Sequence, residues 1–264
     1  MHLYGLDGNG MKNYLHIMIK YFGGLFLIVV GCTSPKPDGS DGIAAVPVAL
    51  QKVLETHGGL DRWKSFQSME YDMEGEHHQI NLSDRKTRVD KEGGGIVAFD
   101  GENVWVTDSA DLQGARFYYN LFFYFGAMPF VLADPGISYD TVARRQLLGN
   151  TYEAIRISYA DGVGQSSRDS YILFYDQDSH QMEWLMYEST FHSGKARNEY
   201  NLIHYRDWVL VNGLQMPSKI QWHYFDGDSV GGVTGDATFE QIELRESALS
   251  DSLFVMPADG LVVP

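Results

Sequence analysis

The 264-residue chain contains a single cysteine, Cys32. No disulfide can form within it, so the lone thiol needs another explanation. Basic residues are scarce: 20 Lys and Arg stand against 35 Asp and Glu, a formal charge of −15. That balance argues against nucleic acid as a partner, because phosphate recognition needs basic surface. It argues equally against electrostatic adhesion to anionic lipid head groups. Beyond residue 31 no segment approaches the roughly 20 consecutive apolar residues of a membrane span, and no repeat or heptad recurs. The spacings that carry chemistry are missing as well. There is no H-E-x-x-H or C-x-x-C pair of the kind that holds zinc. Gly93-Gly94-Gly95 and Gly162-Val163-Gly164 do not lead into a helix with the lysine of a phosphate loop. Ser34, Ser166 and Ser167 have no G-x-S-x-G elbow around them. The sequence therefore names no catalytic residue, no metal ligand and no cofactor, and the expected protein is not an enzyme.

What the chain does have begins with an address. Lys12 and Lys20 precede the uncharged run from Tyr21 to Gly31, which ends at Cys32. A basic start, a short apolar stretch and small residues before a cut describe a secretory signal. Val29-Val30-Gly31-Cys32 resembles a bacterial lipobox, in which the Cys is lipidated and becomes the new N-terminus. Residues 1–10 carry Asp7 and no Lys or Arg, so translation is expected to start at Met11. In the sorting pathway that a lipobox implies, Asp after the Cys favours the inner membrane. Thr33 stands there, which points to the outer membrane, with the periplasmic or surface face left open. Residues 33–45, rich in Pro, Gly, Ser and Asp, read as a flexible tether. Removing residues 1–31 (Lys12, Lys20 and Asp7) leaves a charge of −16. A lipid anchor, rather than charge, is expected to hold the protein at its membrane. Residues 46–264 form one domain's worth of chain, expected to be monomeric.

The most apolar stretch of that domain is Phe117 to Pro135. Its first fourteen residues include eight Phe or Tyr and no charge. A helix is expected over 116–127, followed by an extended strip that Pro129 keeps out of the helix. Phe117, Leu121, Tyr124 and Phe125 share one helical face, while Phe122 and Phe123 point elsewhere. A helix apolar nearly all round must be buried on several sides. Strands surround it in sequence. Met69, Tyr71 and Met73 alternate with Glu70, Asp72 and Glu74, a dry face and a wet face. About ten strands and two or three helices are expected, including an antiparallel meander turning at Asn212-Gly213, a strong hairpin signal. A further helix over 47–57 ends at Gly58-Gly59.

His57 to Trp63 (HGGLDRW), Phe117 to Pro135, and Trp208 to Pro217 (WVLVNGLQMP) resemble an uncharacterised family of predicted bacterial lipoproteins. The ending Asp251-Ser252-Leu253-Phe254 with Pro257 and Gly260 to Val263 resembles the tail of the lipoprotein-localisation, LolA/LolB-like superfamily. The resemblance implies a mainly β fold: an incomplete antiparallel barrel, or strongly curved sheet, with helices on its concave face. It also implies an acyl chain between sheet and helices. The residues expected to line that space from the aromatic stretch are Phe117, Tyr118, Leu121, Phe122, Tyr124, Phe125, Met128 and Phe130. Tyr71, Trp105, Trp184 and Trp222 are expected to face them from the sheet. The same residues also fit a core filled by its own side chains, a structural or interaction module. A hydrolase acting on lipid would need a nucleophile–base pair that the sequence does not display.

Among the nine histidines, adjacent His77 and His78 must face opposite ways on a strand. His192, His204 and His223 lie on neighbouring strands, but the Asn212-Gly213 turn sets His204 opposite Gln221. His57 reads as a packing or helix-end residue, and Asp134 either as a turn aspartate or as a desolvated carboxylate.

If Cys32 carries the anchor, Cys32→Ser will abolish incorporation of a labelled fatty acid and move the protein from the membrane to the soluble fraction. Undiminished labelling of the variant would refute the anchor.

Overall fold

The computed structural model describes residues 46–159, 170–188 and 201–264. Cys32 and the tether, the 162–164 turn, Ser166, Ser167 and His192 lie outside the described residues. In chain order come α1 (Val48–Thr56), α2 (Leu60–Lys64), β1 (Ser68–Met73), β2 (Glu76–Asn81), β3 (Thr87–Lys91), β4 (Ile96–Phe99) and β5 (Val104–Val106). The aromatic helix α3 (Ala115–Gly126) follows. Then come β6 (Ile137–Leu147), β7 (Asn150–Tyr159), β8 (Ser170–Tyr175), β9 (Met182–Glu188), β10 (Asn201–Val211), β11 (Leu214–Phe225), β12 (Val230–Thr238), β13 (Glu240–Arg245) and β14 (Leu261–Val262).

The strands form two antiparallel seven-stranded sheets, ordered β13-β1-β2-β3-β4-β5-β14 and β12-β11-β10-β9-β8-β7-β6. They are joined where the chain leaves the edge of one sheet at Thr238 and enters the edge of the other at Glu240. Phe239, buried between them, keeps its backbone N–H on the Ser218 carbonyl. The result is a curved, unclosed array, the incomplete barrel that the resemblance implies. Among the described residues no helix is long and apolar enough to cross a membrane.

Four strands escape the sequence pattern. β6 is an edge strand carrying Arg144, Arg145 and Asp140, and edges are commonly charged. β12 is a glycine-containing edge, and β14 has two residues. β2 contains Glu76, His77, His78 and Gln79, too polar to show alternation. The strip after α3 is not extended. Phe130–Ala133 coil into a 3₁₀ turn, with Phe130 N–H on the Ala127 carbonyl and Leu132 N–H on the Pro129 carbonyl, both at 3.0 Å. An extended strip buried at this depth would leave those N–H groups without acceptors.

The second sheet is strongly coiled. Arg145 on β6 lies over the Phe225 ring of β11, 4.9 Å from its centroid, and donates to the Gly227 carbonyl. On a flat sheet those strands would stand five spacings apart, about 24 Å. The hairpin ends involved lie at diagonally opposite corners, so twist brings them together over one face. Beneath them Leu147, Tyr152, Phe174, Trp184, Met186 and Leu202 make a satellite core. The opposite face, with Ile155, Leu173, Leu185, Tyr187, Ile203 and Tyr205, joins the main core with the helices.

The first and third family-like motifs touch each other. His57, at the end of α1, packs edge-on against Trp208 (4.6 Å), and its carbonyl accepts from Gln215 N–H at 2.9 Å. Arg62 donates from Nε to the Asn212 carbonyl at 3.0 Å. Gly58 (φ +106°) lies so close to the β10–β11 turn that a Cβ would sit 2.3 Å from the Gly213 carbonyl oxygen. Gly59, with φ 93° and ψ 143°, has open space around it.

This contrast is testable by urea unfolding. Gly59→Ala is expected to cost about 1–3 kcal/mol from backbone strain alone. Gly58→Ala adds the clash and is expected to cost clearly more. Equal losses would show that the helix–hairpin contact is not tight.

Candidate functional site

Helix α3 lies between the two sheets. Arg116 ties its start to the chain terminus, donating to the Val263 and Pro264 carbonyls at 2.7 Å each. Ala115 and Tyr119 pack on Val89, Val97, Val104 and Val106 of the first sheet. Phe123 and Phe125 enter the main core, and the Phe125 carbonyl accepts from Tyr205 Oη at 3.2 Å. Gly126 meets the crossing residue Phe239, whose ring would stand 3.1 Å from a Cβ there.

Phe122 lies between the sheets. It faces His78 of β2 at 6.5 Å on one side and Trp222 of β11 at 6.4 Å on the other, with Tyr118 at 5.9 Å and Phe125 at 6.5 Å. These edge-on separations lie at the wide end of the usual 4.5–7 Å range for aromatic pairs. Trp222 reaches Phe125 (5.9 Å) and donates to Tyr187 Oη at 3.3 Å. Phe122, Tyr118, Trp222 and the neighbouring Tyr171 are only half-buried, although Phe122 and Trp222 pack against the inner core.

A buried polar network closes one end of this aromatic row. Strand register sets Tyr71 opposite His78 and Glu76 opposite Lys91, all on the inner face. Tyr71 stacks on the His78 ring at 4.6 Å, and its hydroxyl donates to Nδ1 at 3.2 Å. That leaves Nε2–H to donate to Glu76 Oε2, 3.2 Å away. Tyr118 Oη donates to the same carboxylate oxygen. Burial, reinforced by the Glu76 charge, raises the Tyr71 and Tyr118 hydroxyls well above the ordinary tyrosine pKa, so both remain donors. The His78 side chain is 2% exposed and that of Glu76 11%. His77, on the outer face, pairs instead with Asp72 at 2.7 Å.

The expected lining residues divide accordingly. Tyr118, Phe122, Phe125 and Trp222 converge, with Tyr71 behind His78. Phe117, Leu121 and Tyr124 are half-buried along the same helix. Met128 and Phe130 are filled core, Phe130 stacking on Trp63 at 5.0 Å. Two expectations fail. Trp105 points to the far face of its sheet, where Nε1 donates to the Phe254 carbonyl, while its neighbours Val104 and Val106 face the helix. Trp184 and Met186 face the satellite core, because the register shifts beside Glu183 and sends Leu185 and Tyr187 inward. Trp184 there stacks on His204 (3.8 Å) and meets His223 (5.2 Å), so these histidines share a ring cluster although His204 pairs in register with Gln221. Glu76, His78, Lys91 and Tyr187 are the site residues that sequence reasoning missed. Reading Glu74-Gly75 as a two-residue turn would have placed His78 beside Tyr71.

Other titratable groups are structural. Asp134 binds Arg85 at 2.6 Å; burial raises its pKa, and the guanidinium opposes that rise. His57 Nδ1–H donates to the Val53 carbonyl (2.7 Å), and Nε2 accepts from the Gln181 amide (2.8 Å). Burial lowers its pKa from 6.5 to about 4. Among the described residues no three His, Cys, Asp or Glu side chains are placed to hold a metal ion.

No family model matches the chain, and no curated protein matches it. Similar solved structures include a LolA superfamily protein from Nitrosomonas europaea: TM-score 0.45, 13% identity, covering 79% of this chain and 98% of that one. Another is a DUF1329 family protein from Desulfovibrio piger, with TM-score 0.45, 9% identity and coverage of 79% and 96%. A third, from Vibrio parahaemolyticus, is described as an outer membrane lipoprotein-sorting protein domain, with TM-score 0.40, 6% identity and coverage of 76% and 95%. The roles of the side chains rest on their own geometry.

The His57 environment has a pH signature. Between pH 6.5 and about 4 the unfolded imidazole binds a proton that the folded one does not. Its contribution is therefore complete above pH 6.5 and is lost as pH falls toward 4, on the order of 3 kcal/mol. The stability gap between wild type and His57→Gln should narrow by that order from pH 7 to pH 4. A constant gap in urea titrations would refute the neutral, buried imidazole.

Proposed function

We propose that this protein is a lipid-anchored envelope protein whose curved sheet holds an acyl chain or similar apolar ligand against α3. One observation carries the reading. Tyr118, Phe122 and Trp222 form an aromatic row between β2 and β11 and still keep solvent exposure. Aromatic surface left wet there offers an apolar ligand area to bury, at about 0.8 kcal/mol per CH₂. In this reading Cys32 carries the anchor, residues 32–45 space the domain from the outer membrane, and residues 46–264 act as one monomeric binding module without catalysis. The complete burial of Met128 and Phe130 favours the competing view of a filled core, but only for the inner end of the stretch. A lipid hydrolase finds less support. His78, the imidazole beside the gap, has its nitrogens engaged by Tyr71 and Glu76 rather than by a Ser, Thr or Cys.

The test uses the neutral probe N-phenyl-1-naphthylamine with the full chain. Its fluorescence is expected to rise on mixing, dodecanol is expected to displace it, and Phe122→Glu should weaken binding by at least about tenfold. Because Phe122 is half-buried, that variant should keep most of its melting temperature. No enhancement with the wild type would leave the filled module as the function. Native mass spectrometry of protein taken from its own membrane would identify the bound molecule.

A further inference from the structure

We infer that Glu76 makes the gap selective for a hydrocarbon chain ending in a protonated amine, over the same chain ending in a carboxylate. The inference rests on the ligand-binding reading above and names the polar end of that ligand. Glu76 stands where the aromatic row ends, linked to Phe122 through Tyr118. Its Oε2 is held by Tyr118 and His78, two donors that fix the carboxylate in place. Tyr71, stacked behind His78, locks the imidazole that does part of this holding.

Apart from the His78 imidazole, whose Nε2 lies 3.2 Å from Oε2, no Lys or Arg pairs with this carboxylate among the described residues. Lys91 is its cross-strand neighbour, but the Lys91 ammonium lies 2.7 Å from Asp111 and over the Tyr118 ring, 5.2 Å from its centroid. Glu74, two residues earlier at the β1–β2 turn, has no ion pair among the described residues either. Burial raises its pKa, and repulsion from Asp236 and Glu76 adds to the rise. Asp236 is already matched by Lys219 at 2.7 Å. The polar end of the gap thus carries more negative than positive charge. A carboxylate head would add to that excess. An ammonium would relieve it and donate to Glu76. Like-charge exclusion and opposite-charge pairing act together here, which is how specificity between two otherwise equal chains arises.

The experiment compares dodecylammonium, dodecanol and dodecanoate, each below its micelle concentration at pH 7, as displacers of N-phenyl-1-naphthylamine from the full chain. The wild type is expected to bind dodecylammonium at least about tenfold more tightly than dodecanoate, the size of one hydrogen bond to a charged group. Glu76→Gln should remove most of that ratio. The overall acidity of the chain favours any cation, so this variant, which changes the net charge by one, decides the matter. An unchanged ratio in Glu76→Gln, or wild-type preference for dodecanoate, would overturn the inference while dodecanol binding upheld the ligand site. If Glu76→Gln does not fold, the wild-type ratio is measured against added salt instead. A charge paired with the largely buried Glu76 is screened little, so the ratio is expected to persist as salt rises, and a ratio that falls to near one at high salt would overturn the inference. No displacement by any of the three would overturn the ligand site itself.

Discussion

The need to remove one aromatic helix from water governs this architecture. Each fully buried ring of α3 hides about 150–250 Å², worth about 4–6 kcal/mol as an upper bound at 25 cal/mol/Å². A flat sheet can cover only one side of a helix that is apolar nearly all round. The two sheets are instead joined edge to edge by a chain that crosses between them, so that α3 has strands on both sides. Phe239 sits at that crossing, edge-on to Tyr71 at 5.3 Å and against Gly126. A side chain at position 126 would press on that ring, which is why the helix ends on glycine at its closest approach to the seam.

Coiling of the second sheet gives it two working faces. Half of each inner strand feeds the main core, and the other half feeds the satellite core under the Arg145–Phe225 contact. The register shift beside Glu183 serves this division by turning Leu185 and Tyr187 toward the helix. Tyr187 then receives Trp222 Nε1–H and holds that indole at the gap. The helix–hairpin contact around His57 and Trp208 fixes the other end of the same strands. The sheet is thus stiff at both ends, while the aromatic row between β2 and β11 is spaced more widely.

The polar network sits where apolar packing gives out. Burying a carboxylate is costly unless donors meet it, and Glu76 receives two, one from each side of the gap: His78 on the sheet and Tyr118 on the helix. The network therefore ties α3 to β2 as well as marking the polar end of the row. Lys91 pairs with Asp111 rather than with this carboxylate.

Elements whose chemistry is local can be read directly from the residues. The alternation in β1, the Asn212-Gly213 hairpin with Val211 opposite Leu214, the glycine stop after α1 and the helix from 115 to 126 all follow from side-chain period and backbone freedom. The same reading requires that α3 be enclosed, and hence a curved, mainly β fold. Which residues do the enclosing was settled only by the packing of strands. Trp105 and Trp184 are as apolar as Trp222, but a sheet face is set by register, and one shift beside Glu183 reversed the assignment of Trp184. β2 was illegible for the reason that makes it interesting. Glu76 and His78 occupy inward positions where a periodic strand would show apolar residues. Their partners Tyr71, Lys91 and Tyr118 are distant in sequence or carried on another element. Only pairing of strands and docking of a helix, non-local events that no local pattern encodes, bring them to one place.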